Sequence, residues 1–241
     1  MYDNVSTSYR LRSCADWSIT HIYPQVHYFC DINYDVFQFM SQNKLTYGFN
    51  MAILDDARSF PSLWTKTRAF ITEYPHLLHP EADLTWLLSN DNLYNNCQFF
   101  SNFEIGSLSF WRSQPVAAYF RYLDETGGFY YERWGDAPVH TLAIAMFAPK
   151  REHWWFRDIG YQHSVNSHCP PDREGMCACE KTSIDENFYK LVPDRSRQKK
   201  PADTCIRSWL GSSWLEKRPG WTASLERAWG GDGYGGYARW D

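Results

Sequence analysis

Short apolar runs that suit β-strands alternate with helical segments along this chain, and this alternation constrains its fold more than any other feature. An apolar run at 97–105 is followed by a helical segment at 115–126, which a pair of glycines should end. A helix is also expected at 137–147, with Asp136 as its N-cap. Further strands are expected at 27–32, 46–53 and 154–156, and further helical segments at 34–42, 61–74 and 83–88. The pattern predicts an α/β fold in which a mixed sheet is flanked by helices.

The composition is unusually rich in aromatic side chains. Aromatic residues make up 18% of the 241 residues, with 12 Trp, 16 Tyr and 15 Phe, which is more than an ordinary soluble domain contains. The chain is long enough to bury a substantial core, and we favour a single domain. Because the chain is unusually rich in aromatic rings, some of them should face a ligand. Rings that cover a sugar face, beside acids that bind its hydroxyl groups, are typical of carbohydrate sites.

Charge and hydropathy argue against two classes of partner. The formal net charge is −4, so nucleic-acid binding lacks its main electrostatic support. The basic cluster at 195–200 is better explained as a solvated loop. No apolar run approaches the roughly 20 residues of a membrane-spanning helix, since the best stretch covers only 142–148. We therefore expect no membrane contact by this chain itself.

The seven cysteines indicate maturation in an oxidising compartment, where disulfides form. Their odd number leaves one thiol unpaired or with a partner elsewhere. A set of histidines and cysteines also resembles a zinc site loosely, but its spacing matches no standard finger and disulfides fit better. The members of that set are His163, His168, Cys169, Cys177 and Cys179.

Two acidic residues lie in runs that are crowded by aromatic rings. Glu104 ends the apolar run at 97–105, which would place a carboxylate at the end of a strand, where α/β folds expose site residues. The alternative is a charged residue at a strand edge, paired with an arginine. Asp136 can cap a helix or lie where anions bind. Arg133 could bind a hydroxyl or phosphate group, and Trp134 could stack on a sugar ring or belong to the core.

A histidine and an acid could converge on a divalent cation. Asp158 and His163 lie five residues apart, around a glycine that favours a turn. The alternatives are a histidine with a purely structural hydrogen bond and an aspartate paired with Arg157. Asp31 and Asp35 resemble an acidic metal motif, although the solvated start of a helix explains their spacing better.

Four motifs occur in a fixed order along the chain. They are YFCDINYDVF at 28–37, SNFEI at 101–105, GGFYYERWGDAPVH at 127–140 and FRDIGYQH at 156–163. This series resembles the fungal Golgi α-1,2-mannosyltransferases of glycosyltransferase family 15. The resemblance covers about residues 26–210. It implies an architecture similar to that of GT-A enzymes, in which helices flank a mixed sheet.

The resemblance also implies an activity. Members of that family use GDP-mannose as donor and Mn²⁺ as cofactor, and they transfer mannose with retention of the α configuration. Their acceptors are the mannose residues of N- and O-linked glycans. They act in the Golgi lumen and carry a membrane anchor, and we expect no such anchor within residues 1–241.

Individual site residues follow from the same motifs. Glu104 stands where the family has its candidate nucleophile, and Asp136 corresponds to an acid near the donor and acceptor sugars. His163 stands at a metal-ligand histidine. The residues expected to contact substrate are Arg133, Trp134 and Tyr161. The resemblance therefore predicts that Glu104 and His163 meet around a cation-bound diphosphate, with mannose between them.

The chain departs from the family pattern near its start. The family sequence resembles VEPDV, whereas this chain has IYPQV at 22–26, so that Tyr23 occupies the position of a metal-site carboxylate. A phenol is a poor ligand for a hard divalent ion. The resemblance implies a nucleotide-binding half before residue 1, which we expect this chain not to contain. We therefore expect an irregular remnant at 1–25, a partial catalytic domain at 26–215 and a Gly/Trp-rich flexible tail at 216–241.

These departures leave other functions open. A truncated member could be inactive as a transferase and persist as a non-catalytic relic that binds a carbohydrate or a protein partner. An aromatic-rich cell-surface binding module without transferase ancestry is a third hypothesis. In that case Glu104, Asp136 and His163 should scatter in space rather than converge.

Overall fold

The computed structural model describes residues 17–20, 26–29, 32–89, 92–156, 158–163, 166–168 and 205–210. The strands in these ranges are β1 (Trp17–Thr20), β2 (Val26–Phe29), β3 (Tyr47–Phe49), β4 (Ala52–Leu54), β5 (Cys97–Phe99), β6 (Glu104–Ser107), β7 (His153–Trp155), β8 (Tyr161–His163) and β9 (Asn166–His168). The helices are α1 (Val36–Gln42), α2 (Leu63–Glu73), α3 (Leu108–Trp111), α4 (Gln114–Glu125), α5 (Gly128–Tyr131), α6 (Asp136–Phe147) and α7 (Cys205–Leu210). Short 3-10 segments occupy Ala57–Ser59, Pro75–Leu77, Thr85–Leu87 and Lys150–Glu152. The alternation of strands and helices agrees with the predicted α/β class.

The largest sheet in the described residues has the strand order β1-β6-β3-β7. Strand β6 runs antiparallel to both β1 and β3, whereas β3 and β7 are parallel. The sheet is therefore mixed, as predicted. Two smaller antiparallel sheets have the orders β2-β8-β9 and β4-β5. In the largest sheet Phe49 pairs with Glu104 on one side and Trp155 on the other.

Two predicted strands are each broken into two. The run at 46–53 forms β3 and β4 in different sheets, with Asn50 buried at the break and its carbonyl accepting a hydrogen bond from the Trp155 indole at 2.9 Å. The run at 97–105 forms β5 and β6, separated by a turn at 100–103. Glu104 therefore begins a strand instead of ending one, because the chain must leave β5 and cross to the largest sheet before it pairs again.

The predicted helices are present, and local signals set their ends. The Asp35 carboxylate accepts hydrogen bonds from the backbone N–H groups of Phe37 and Gln38, both at 2.9 Å, and so caps α1. Asp35 therefore lies at the start of a helix, as its sequence position indicated. Helix α4 is followed by Gly127, whose φ of +77° suits glycine. The N-cap of α6 is Gly135, which corrects the assignment of Asp136 to that position.

Helix α6 is buried on nearly all sides, because every residue from Ala137 to Phe147 except His140 is buried. Its contact with β5 includes a hydrogen bond from the Phe99 N–H to the Thr141 hydroxyl at 2.8 Å. The same hydroxyl donates to the Ala137 carbonyl at 2.7 Å. A helix that is mostly apolar around its circumference belongs in a core. The packing around α6 therefore holds the helix in place relative to β5.

A disulfide between Cys97 and Cys205 attaches α7 to β5, and both cysteines are buried. Trp209 of α7 packs its ring against Phe49 at a centroid distance of 5.0 Å. The Lys150 ammonium group donates a hydrogen bond to the Trp209 carbonyl. Helix α7 is thus part of the same core as the largest sheet.

Several sequence-based predictions concern residues outside the described ranges. They include Tyr23, the basic cluster at 195–200, the tail at 216–241 and the remaining cysteines Cys14, Cys30, Cys169, Cys177 and Cys179. None of the helices that the structure describes has both the length and the apolar character that a membrane crossing requires.

Candidate active site

Glu104 lies at the start of β6 with only 1% of its surface exposed, and both of its carboxylate oxygens are hydrogen-bonded. The Tyr47 hydroxyl donates to Oε2 at 2.8 Å, and the His140 Nδ1 atom lies 2.9 Å from Oε1. A carboxylate accepts hydrogen bonds when it is ionised, so Nδ1 carries the hydrogen in this pair. We call Tyr47, Glu104 and His140 the Glu104 cluster.

Sheet register and a glycine explain how the cluster forms. Tyr47 pairs with Gly106 across β3 and β6, and Glu104 lies two residues before Gly106 on the same face of the strand. Gly106 leaves room for the Trp111 indole, because an added Cβ would lie 2.2 Å from its nitrogen. The Trp111 ring then packs against the His140 ring at a centroid distance of 4.5 Å. The glycine therefore lets an aromatic ring support the histidine that binds Glu104.

Burial and charge shift the pKa values of both partners of Glu104. Burial raises the pKa of Tyr47 well above its ordinary value, and the negative charges of Glu104 and Asp136 raise it further. Burial alone would lower the pKa of His140, but the hydrogen bond to Glu104 and the charges of Glu104 and Asp136 raise it overall. The tyrosine stays neutral, and the histidine keeps its positive charge to a higher pH than a free imidazole.

Asp136 joins this group from the first position of α6. Its side chain is exposed, and it precedes His140 by four residues, which places both on one face of the helix. Its charge acts on both His140 and Tyr47. The structure thus brings Glu104 and Asp136, the two acids predicted from the sequence, to the same histidine.

His163 ends β8 and contacts the turn that precedes Glu104. Its Nε2 atom lies 3.5 Å from the Asn102 side-chain nitrogen, and its ring packs near Phe100 at 5.8 Å. The His163 Nδ1 atom is buried and has no hydrogen-bond partner among the described residues. Asn102 is two residues from Glu104, so the turn at 100–103 connects the predicted catalytic acid with the predicted metal ligand.

Two predicted substrate contacts are buried side chains. Trp134 is 5% exposed, its indole donates to Glu132 at 2.7 Å, and its ring covers Gly128, where an added Cβ would lie 2.2 Å away. Tyr161 is fully buried, with its ring 6.2 Å from Phe103, and burial raises its pKa to about 12. Trp134 therefore lies in the core, which was one of the two alternatives left open for it, and Tyr161 is buried as well.

Arg133 and Asp158 are placed differently. Arg133 is exposed, its backbone N–H donates to the Ser59 carbonyl at 2.8 Å, and it lines an open surface groove. Asp158 is buried. Within the described ranges, no group of three or more His, Cys, Asp and Glu side chains is arranged to bind a metal ion.

Sequence reasoning gave no role to His140 or Tyr47. His140 could have been found, because it follows Asp136 by four residues in a segment that was predicted to be helical. Tyr47 offered no such signal, because its contact with Glu104 depends on the pairing of strands that are 57 positions apart.

Comparison with known proteins identifies the family. The model of the glycolipid 2-alpha-mannosyltransferase family matches residues 8–192, which is more than half of the chain. The chain belongs to this family. A probable mannosyltransferase KTR4 of Saccharomyces cerevisiae is 45% identical over 203 residues, which are 80% of this chain and 42% of that protein. The O-glycoside alpha-1,2-mannosyltransferase omh1 of Schizosaccharomyces pombe is 41% identical over 70% of this chain and 44% of its own length.

Solved structures of the mannosyltransferase family share the fold. The Mn/GDP form of core-mannan synthase A from Aspergillus fumigatus superposes with a TM-score of 0.65 at 37% identity, over 78% of this chain and 50% of that one. Ktr4p of S. cerevisiae in complex with GDP superposes with a TM-score of 0.65 at 38% identity, over 80% and 51%. The predicted GT-A-like architecture is confirmed. This mannosyltransferase-family chain spans about half the length of the relatives it matches or less.

Proposed function

We propose that this chain forms part of a retaining α-1,2-mannosyltransferase, which transfers mannose from GDP-mannose to mannose of N- or O-linked glycans in the Golgi lumen. The observation that carries the proposal is the Glu104 cluster. A buried carboxylate is held there by a tyrosine and a histidine, with Asp136 exposed beside them. Family membership supplies the reaction class.

The environment of Glu104 favours one of the two retaining mechanisms. Retention can proceed through covalent attack by a carboxylate or through attack of the acceptor on the same face as the leaving group. Glu104 is buried and hydrogen-bonded on both oxygens, which suits a fixed negative charge better than a mobile nucleophile. We infer that it stabilises the positive charge that develops on the mannosyl ring.

Asp136 is suited to the acceptor side of the reaction. Its carboxylate is exposed at the N-terminus of α6, where a substrate hydroxyl can approach it. The carboxylate can accept a hydrogen bond from that hydroxyl and orient it. His140 interacts electrostatically with both acids, and its positive charge partly offsets theirs.

The residues present fit a divalent ion in part. The His163 imidazole has a nitrogen without a protein partner among the described residues, and the Asn102 amide lies beside the ring. An amide carbonyl oxygen is a donor that suits Mn²⁺, and imidazole is the commonest metal ligand in proteins. We propose that His163 would bind the ion. A bound Mn²⁺ would neutralise charge on the diphosphate leaving group. Tyr23, which stands at a carboxylate position of the family, lies outside the described residues.

Two measurements on the purified chain test the proposal. Transfer from GDP-mannose to methyl α-mannoside with Mn²⁺ should give an α-linked disaccharide, identified by NMR, and Glu104→Gln should lower the rate of this transfer by about 100-fold or more. Calorimetry should show that Mn²⁺ tightens GDP binding and that His163→Ala removes this effect.

The outcomes separate the hypotheses. GDP binding without transfer would favour the non-catalytic alternative. If the chain shows neither GDP binding nor mannose transfer, the proposal is overturned for this chain.

A further inference from the structure

An open groove of about 710 Å³ lies on the surface next to the loop that leads into α6. Its lining includes Asp56, Arg58, Tyr130, Tyr131, Glu132 and Arg133. The first two come from the segment after β4, and the others come from α5 and the residues that follow it. None of these side chains belongs to the Glu104 cluster.

Two adjacent tyrosines in the groove are unusually exposed. Tyr130 is 77% exposed and Tyr131 is 91% exposed. The Tyr131 ring lies over Gly127, where an added Cβ would come within 3.3 Å of it, and the Tyr130 hydroxyl is 3.5 Å from Asp124. An exposed tyrosine ring presents a large amphipathic surface at a low cost in conformational entropy. The pair therefore has the properties of a contact surface for a ligand.

The charged groups in the groove balance one another. Arg58 and Asp56 form an ion pair at 2.5 Å. The Glu132 carboxylate accepts hydrogen bonds from the Trp134 indole at 2.7 Å and the Ser62 N–H at 3.1 Å. With Arg133, the lining has two acids and two arginines, and it is neutral overall. A neutral groove gives a polyanion no electrostatic advantage, whereas its hydrogen-bonding groups and rings suit an uncharged ligand with many hydroxyl groups.

We propose that this groove binds the sugar units of an oligomannose acceptor that lie away from the reacting end. This inference rests on the proposed function, because it extends the acceptor site of the same reaction. Arg133 precedes Asp136 by three residues, which span at most about 11 Å. The groove therefore lies close to Asp136, the residue proposed to orient the acceptor hydroxyl.

Direct binding tests the groove without requiring transfer. Saturation-transfer difference NMR and calorimetry should detect binding of α-1,2-linked mannotetraose to the full chain in the absence of GDP-mannose and Mn²⁺. Tyr131→Ala and the double variant Tyr130→Ala/Tyr131→Ala should each weaken that binding about tenfold or more. Leu93→Ala is the matched control, because Leu93 is 57% exposed and lies outside the groove lining. This control should bind mannotetraose like the unmodified chain.

The results distinguish failure of the groove from failure of the transferase proposal. Absence of mannotetraose binding, or binding that both tyrosine variants retain, overturns the groove whatever the activity. Equal weakening by Leu93→Ala also overturns it, because the effect would then not be specific to the groove. Binding that depends on the tyrosines supports the groove even if the chain transfers no mannose to methyl α-mannoside.

Discussion

The Nδ1 atom of His140 lies 2.9 Å from Oε1 of Glu104, and this contact joins the most deeply buried helix to the first residue of β6. The histidine side chain is 16% exposed and the glutamate side chain 2%. A buried carboxylate that lost this partner would retain a desolvation cost without the compensating hydrogen bond. The pair therefore links the stability of the fold to the chemistry proposed for the site.

Replacing Glu104 with glutamine should separate charge from shape. The amide has nearly the same size but lacks the negative charge, so Glu104→Gln should lower mannose transfer by about 100-fold or more. Its kcat should fall more than its KM changes, and the far-UV circular dichroism should stay the same. Tyr47→Phe is the control, because it removes one hydrogen bond and leaves the charge. Transfer by Glu104→Gln at the unmodified rate would contradict the role of the charge.

Two variants of His140 should differ in stability. Asparagine can place an amide N–H near the position of Nδ1, whereas alanine leaves Glu104 without this donor. His140→Ala should therefore lower the free energy of unfolding by about 2 kcal/mol, and His140→Asn should lower it less. Urea denaturation at pH 6 measures both.

The contribution of His140 also has a defined pH dependence. Its pKa is raised in the folded state, so its stabilisation is complete below the unfolded pKa of about 6.5 and is lost as the pH rises through the folded value. His140→Asn should remove this loss of stability at higher pH. An unchanged pH profile in that variant would contradict the assignment.

His153 should act in the opposite direction. Burial, helped by the positive charge of Lys150, lowers its pKa from 6.5 to about 3. The unfolded chain binds a proton below pH 6.5 while the folded chain does not, so stability should fall from about pH 6.5 towards pH 3. The slope for this one proton is at most about 1.4 kcal/mol per pH unit.

The pH dependence of unfolding tests this assignment. His153→Phe should remove the contribution of that proton to the slope, whereas Leu93→Ala, at an exposed residue without a titratable group, should leave the slope unchanged. Equal slopes in the unmodified chain and His153→Phe would contradict the assignment.

Loss of the disulfide between Cys97 and Cys205 should strongly destabilise the fold. The bond closes a loop with a sequence separation of 108, for which the chain-entropy model gives about 4–5 kcal/mol. The double variant Cys97→Ala/Cys205→Ala should lower the midpoint of guanidinium unfolding accordingly. It should also expose Trp209, which a red shift of tryptophan fluorescence would report. An unchanged midpoint would show that α7 contributes little to the core.

Local signals in the sequence predicted most helices but not how the strands divide. Pro138 lies in the first turn of α6, and the glycine pair follows the end of α4, both as predicted. The break between β3 and β4 depends instead on Asn50, whose carbonyl binds an indole 105 positions away. The break before Glu104 similarly depends on which sheet each half of the run joins. Such tertiary choices leave no periodic signal in a single sequence.

The candidate site shows the same division. The motifs identified Glu104, Asp136 and His163, and the structure connects the first two through His140 and the first with the third through the turn at 100–103. The partner of Cys97 could not have been found, because cysteine connectivity cannot be deduced from spacing. Trp134 has the same aromatic signature in the core as it would have at a sugar site, so only its burial distinguishes the two.

The nearly complete burial of α6 has a consequence for how this family can diversify. A helix packed on nearly every side cannot shift along its axis without disrupting the whole interior. A relative that keeps the geometry of the Glu104 cluster must therefore also keep the packing of the core. New acceptor preferences would have to arise by exchange of side chains on the outer loops, such as those that carry Arg58 and Tyr131, while the chemistry beneath them stays constant.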